Sequence, residues 1–150
     1  MDIDKLKKFE KLPPDVKRQL ALYMSKWNDK KKQATIKQDF MAFVKHVWPD
    51  FIEGSHHKQV AKKFNDIANG KTKRVIINMA PRHTKSEFAS YLLPAWMVGR
   101  NPKLKIIQST NTTELSVRFG RKAKALMDTP EYKEVFETRL KEDSQAAGKW

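Results

Sequence analysis

RVIINMAPRHTKSEF (Arg74 to Phe88) joins an uninterrupted apolar run to a basic turn and then to the start of a helical pattern. Val75-Ile76-Ile77 has the character of a strand buried on both faces of a parallel sheet. Met79 to Ser86 has the length of a P-loop and ends in its Lys-Ser, but Met79 and Thr84 stand where that pattern wants glycines. A phosphate cradle needs backbone N–H groups turned inward with a helix N-terminus behind them. A β-branched Thr84 must therefore adopt an unusual φ or send the loop along another path. In a working loop of this kind Lys85 reaches the β- and γ-phosphates, the Ser86 hydroxyl ligates Mg²⁺, and Arg82 adds a second cation beside the same anion. The alternative is an ordinary basic turn between a strand and a helix.

The surrounding chain bounds the possibilities. Its 150 residues suffice for one domain with a real core. Thirty-one Lys and Arg against 17 Asp and Glu give a net charge of +14, which points to a polyanionic partner, nucleic acid before membrane. The plainer reading is a solvated lysine-rich surface. There is no cysteine, which excludes a disulfide framework and a thiolate metal site. The N-terminus, MDIDKLKKFE, lacks the apolar segment of a signal peptide, and no apolar run approaches membrane-spanning length, so a soluble, intracellular protein is expected.

Outward from the loop, the pattern is mostly helical. Leu6 and Phe9 begin a short helix before Pro13-Pro14, and Val16, Leu20, Tyr23 and Trp27 recur at helical spacing, with aromatics most simply assigned to a core. A further helix from about Ile36 carries Phe40, Phe43, Val44 and Val47 on one face and stops at Pro49. Ser55 is a candidate N-cap for a helix burying Val60, Phe64 and Ile67, with Asn69-Gly70 as its stop. Adjacent His56 and His57 are expected to face different ways on that helix and to form no metal site. Beyond the loop, Phe88, Leu92 and Trp96 form a stripe on a helix kinked or shortened near Pro94 and ended by Gly99. Lys105 to Ser109 reads as a second strand. Asn111 and Glu114 start a helix that buries Leu115, Phe119, Ala123 and Leu126 and turns Arg118, Arg121, Lys122 and Lys124 outward. Thr129-Pro130 opens a last short helix through Phe136. The order helices, strand, loop, helix, strand, helix, helix is the opening of a right-handed parallel α/β unit.

Four segments, FIEGSHH (Phe51 to His57), INMAPRHTKSEFAS (Ile77 to Ser90), PAWMVGRNP (Pro94 to Pro102) and VRFGRKAKALM (Val117 to Met127), occur in an order that resembles the front of the ATPase domain of tailed-bacteriophage terminase large subunits. The resemblance covers residues 51–150 and implies an α/β fold, the start of a P-loop NTPase (RecA/ASCE-like) parallel sheet, with residues 1–50 as a helical N-terminal extension. It implies ATP-driven translocation of double-stranded DNA into a prohead, with ATP and Mg²⁺ as cofactors, in the cytoplasm of the host cell. The site it implies is Pro81, Arg82, His83, Thr84, Lys85 and Ser86, with the amides of His83 and Thr84 lining the anion and Lys85 and Arg82 serving catalysis. His57 and Gln59 would lie near the adenine, and Ser86 would hold Mg²⁺. The implied partners are a portal protein, a small terminase subunit and further copies of the chain in a ring.

The chain departs from that family pattern in one respect. No apolar strand ending in Asp or Glu follows the second strand, and Asp128, Glu131, Glu134, Glu142 and Asp143 all fall on helical or loop sequence. A phosphoryl-transfer site needs such carboxylates to organise Mg²⁺ and water, so the ATPase domain is expected to be cut short and a nuclease domain to lie beyond Trp150. Rival readings are another nucleic-acid motor such as a helicase, or a non-catalytic basic DNA-binding module.

Overall fold

Every regular element among the described residues, 13–138, of the computed structural model is helical. The elements are α1 (Pro14–Gln38), α2 (Phe40–Val47), α3 (Ser55–Ala68), α4 (Lys85–Glu87), a π-helical turn (Phe88–Leu92), α5 (Leu93–Arg100), α6 (Thr113–Asp128) and α7 (Pro130–Val135). Two compact units divide the chain, residues 1–34 and 35–150. None of the described helices is long and apolar enough to cross a membrane. Leu6 and Phe9 lie outside the described residues.

In the first unit α1 keeps its expected helical periodicity, but its aromatics are not core. Tyr23 is 71% and Trp27 56% exposed, with the Lys31 ammonium 5.2 Å from the Trp27 ring centroid. Regular spacing makes a stripe and does not by itself supply a surface to bury it.

The second unit is organised by aromatic packing. Phe40 is fully buried and meets Phe64, Phe88 and Trp96 edge-on at 5.2, 5.5 and 5.4 Å, the quadrupole-favoured arrangement. It can occupy that place because α2 begins at it. Asp39 caps α2 by accepting from the Ala42 amide at 2.7 Å, while Asn65 on α3 donates to Asp39 and accepts from the Phe40 amide, both at 2.8 Å. The chain thus turns from α1 into α2 with its polar groups satisfied and the Phe40 ring facing inward. The expected stripe Phe88, Leu92 and Trp96 is buried as well. The helix that carries it widens at Phe88–Leu92, where the Leu93 amide bonds to the Phe88 carbonyl five residues back. Pro94 follows immediately and has no N–H to continue an ordinary ladder, so the local widening meets the constraint that proline imposes.

The expected parallel sheet is overturned. Neither 74–78 nor 105–109 forms a bridge to any described residue. Burial does alternate from Val75 to Ala80, the period-two signature of an extended chain, but Ile76 is 89% exposed, and in the second segment Ile107 is 97% exposed. An apolar β-branched run records a local preference, whereas a sheet is a set of hydrogen bonds to another segment. The described residues supply no such segment to either run.

Gly99 is corrected in a smaller way. It does not end its helix, which runs on to Arg100. A Cβ at Gly99 would lie 2.7 Å from the Phe136 ring and 2.7 Å from the Tyr132 hydroxyl, so the glycine lets α7 approach closely. That hydroxyl donates to the Ala95 carbonyl at 2.8 Å, and burial raises its pKa. Gly99→Ala should therefore destabilise the fold by about 1–2 kcal/mol. Overpacking at about 1–3 kcal/mol outweighs a helix-propensity gain of at most about 1 kcal/mol. Urea unfolding of the two proteins measures the difference.

Candidate phosphate-binding loop

Residues 79–86 connect the extended segment to α4, and two of them take left-handed backbone conformations without being glycine: Arg82 at φ 63° and Thr84 at φ 57°, ψ 8°. Of the two paths open to a β-branched residue at this point, Thr84 adopts the unusual φ. Such a residue costs roughly 1–3 kcal/mol and persists where its surroundings over-determine it. Thr84 is the N-cap of α4, and its carbonyl accepts from the Phe88 amide at 2.9 Å, the first turn of the helix. Its side chain does not cap that turn, since the hydroxyl donates to the His83 carbonyl at 2.7 Å. The first-turn amides of α4 consequently receive no side-chain acceptor from the cap.

The second Thr84 contact is long-range. The His57 Nε2 lies 2.7 Å from the Thr84 hydroxyl oxygen, and the Gly54 amide donates to the His57 Nδ1 at 2.9 Å. The bond from Gly54 places a lone pair on Nδ1, so neutral His57 carries its proton on Nε2, where the Thr84 oxygen at 2.7 Å is the nearer acceptor and the His56 Nε2 stands at 3.0 Å. His57 is 7% exposed and packs against the rings of Phe51 at 4.8 Å and Phe88 at 5.2 Å. Desolvation, and next the neighbouring His56, hold its pKa below the ordinary histidine value; His83 acts in the same sense and Glu53 in the opposite one. Glu53 is in turn engaged by Lys45, whose hydrogen bond lowers the carboxyl pKa.

Three basic side chains of the loop, Arg82, His83 and Lys85, are exposed. Lys85 folds back to donate to the Met79 carbonyl at 2.9 Å, closing the loop on itself, and Arg82 is exposed. His83 donates from Nδ1 to the Pro81 carbonyl at 2.9 Å, which fixes its proton on that nitrogen when the ring is neutral. Ser86 is exposed at the helix start, a hard oxygen donor of the kind Mg²⁺ takes. Pro81, Arg82, His83, Thr84, Lys85 and Ser86 are consecutive in the chain, and His57 meets them from α3 through Thr84. Gln59 is exposed on α3 and does not enter this hydrogen-bonded cluster.

Some contacts are not legible in the sequence. Adjacent positions on a helix predict that His56 and His57 diverge, yet their Nε2 atoms are 3.0 Å apart, and the His56 ring stands 5.5 Å from that of His83. Close behind, Glu87 receives the Lys122 ammonium on both oxygens at 2.9 Å, and Lys122 also lies over the Tyr91 ring at 5.2 Å. Burial, with Glu87 beside it, pushes the Tyr91 hydroxyl up to about 12. Lys122 therefore ties α6 to the loop helix rather than facing outward with Arg118 and Arg121, which are exposed. An acid directly after Lys-Ser and a lysine 35 residues on give no sequence signal of that pairing. Of the acids beyond the second apolar run, Asp128 pairs with Lys133 and Glu134 lies 3.7 Å from His46, while Glu142 and Asp143 lie outside the described residues. Among the described residues no three His, Cys, Asp or Glu side chains are grouped to hold a metal ion.

The lowered pKa of His57 has a definite sign. Below about pH 6.5 the unfolded chain takes up this proton before the folded one does. Stability tied to His57 is present above that pH and falls as pH drops toward the folded value. Between about pH 7 and pH 5 the melting temperature of the wild type should fall more steeply than that of His57→Gln, and equal slopes would remove the assignment. No family model, curated protein or solved structure matches this chain, so the loop's own residues must carry the functional reading.

Proposed function

We propose that the chain binds the phosphates of ATP, with Mg²⁺, on residues 79–86, and that it is the nucleotide-binding part of a DNA-packaging motor of the terminase large-subunit type. The observation that carries this reading is the loop itself. Two strained non-glycine residues, Arg82 and Thr84, lead into a helix start that the Thr84 side chain does not cap, and Lys85 and Arg82 are both exposed. Strain held at one short basic turn is more than a connector requires. Amides without a side-chain cap and two exposed cations complement a polyphosphate.

On this reading Lys85 exchanges its bond to the Met79 carbonyl for a phosphate oxygen, and Arg82 neutralises charge at the distal phosphate. Mg²⁺, when bound, offsets phosphate charge, and the Ser86 hydroxyl is the group that would hold it. The proposal rests on the loop and the ordered segments around it, and needs no parallel sheet among residues 13–138. The resemblance brings with it double-stranded DNA, a portal protein, a small terminase subunit and a ring of copies as partners. The net charge of +14, with Arg118 and Arg121 exposed on α6, supports the DNA partner.

Two measurements bear on this reading. Lys85→Ala should weaken binding of a fluorescent ATP analogue by about tenfold or more, the worth of a hydrogen bond from a charged donor, while the circular dichroism spectrum stays unchanged. Equal affinity would remove the assignment. Binding to duplex DNA of arbitrary sequence should fall with salt, at a log–log slope of about −0.9 for each phosphate neutralised. A flat response would leave the basic surface as a matter of solubility.

A further inference from the structure

Thr84 can reach the His83 carbonyl by itself, but that bond ties the residue only to its own neighbour. Its other bond crosses 27 residues of sequence to His57 on α3. The His57 ring has one orientation that serves this contact. Its Nδ1 is occupied by the Gly54 amide, and the ring packs against Phe51 and Phe88. A half-turn of the ring would put C–H groups where the nitrogens stand and lose both bonds. A Cβ at Gly54 would lie 2.7 Å from His56 Cε1, so a side chain there would require the His56 ring to shift.

We propose that His57 is a positioning residue: held by the Gly54 amide in its Nε2-protonated form, it grips the Thr84 hydroxyl and keeps Thr84 in the left-handed conformation that aims the loop at a phosphate. The family resemblance places His57 near the adenine; here it acts through Thr84 on the phosphates. The proposal rests on the loop's reading as a nucleotide site, and its test separates the two.

Two arms are needed. In the first, ¹⁵N NMR of the imidazole nitrogens in the full chain without ligand gives the tautomer directly. An unprotonated Nδ1 and a protonated Nε2 on His57 are expected, and a protonated Nδ1 overturns the proposal whether or not nucleotide binds. In the second, a fluorescent ATP analogue with Mg²⁺ is titrated against a double-mutant cycle. His57→Phe keeps an aromatic ring against Phe51 and Phe88 but has no donor, whereas His57→Gln places an amide N–H near the former Nε2. H57F should bind about three- to tenfold more weakly, the effect of one net hydrogen bond, and H57Q should recover most of that loss. Glycine takes a positive φ without a strut, so adding H57F to a Thr84→Gly background should change affinity less than about twofold. Wild-type affinity in H57F, or the same loss in both backgrounds, overturns the proposal. Should H57F fail to fold, H57Q in the two backgrounds carries the cycle, and a loss of the same size with and without the Thr84→Gly substitution is again contrary. If the wild type binds no analogue at all, the nucleotide reading fails, and the tautomer alone decides the role of His57.

Discussion

The hydrogen bond between the His57 ring and the Thr84 hydroxyl joins the buried helices of this protein to its exposed basic loop. On one side stands the aromatic cluster of Phe40, Phe64, Phe88 and Trp96, whose packing fixes α2, α3 and the loop helix against one another. On the other stands a turn with two non-glycine residues at positive φ and three basic side chains. A strained turn on the surface relaxes unless something rigid restrains it. Here the restraint comes from α3, because His57 is itself immobilised by the Gly54 amide and by two phenylalanine rings. The loop's shape is in this sense a property of the core.

The same arrangement explains how a turn without the expected glycines can hold left-handed residues. Glycine reaches left-handed conformations without a Cβ penalty, which lets a phosphate loop form from local sequence alone. Threonine at that place raises the cost, but it brings a hydroxyl that a distant residue can hold. Local strain is offset by a long-range bond, and the loop becomes dependent on α3 being folded and correctly packed. Glu87, clamped by Lys122 immediately beyond the loop, adds a second tie from α6.

Much of the helical architecture could be read from the sequence, because helices are set by contacts within a few residues. The stripe Phe88, Leu92 and Trp96, the Thr129-Pro130 start of α7 and the Asn69-Gly70 stop of α3 all follow from local rules, and Gly70 indeed takes φ 72°. Thr84's choice between strain and an altered path was legible as a question, but its answer depended on His57. The absence of a sheet among the described residues was not legible, since Val75-Ile76-Ile77 announces a preference for extension and says nothing of a pairing partner. Nor was the exposure of Tyr23 and Trp27, because periodicity defines a face without stating what covers it. Gly99 looked like a terminator from its type alone, while its actual use, admitting Tyr132 and Phe136, required knowing where α7 packs.

The central claim is that residues 79–86 receive the phosphates of a nucleotide. The most direct measurement is an amide ¹H–¹⁵N chemical-shift map of the full chain titrated with a non-hydrolysable ATP analogue and Mg²⁺. The account predicts that the largest saturable shifts fall on the amides of Arg82 to Glu87, with smaller ones at Gly54 and His57. Saturable shifts centred elsewhere, or none at millimolar analogue, would contradict it.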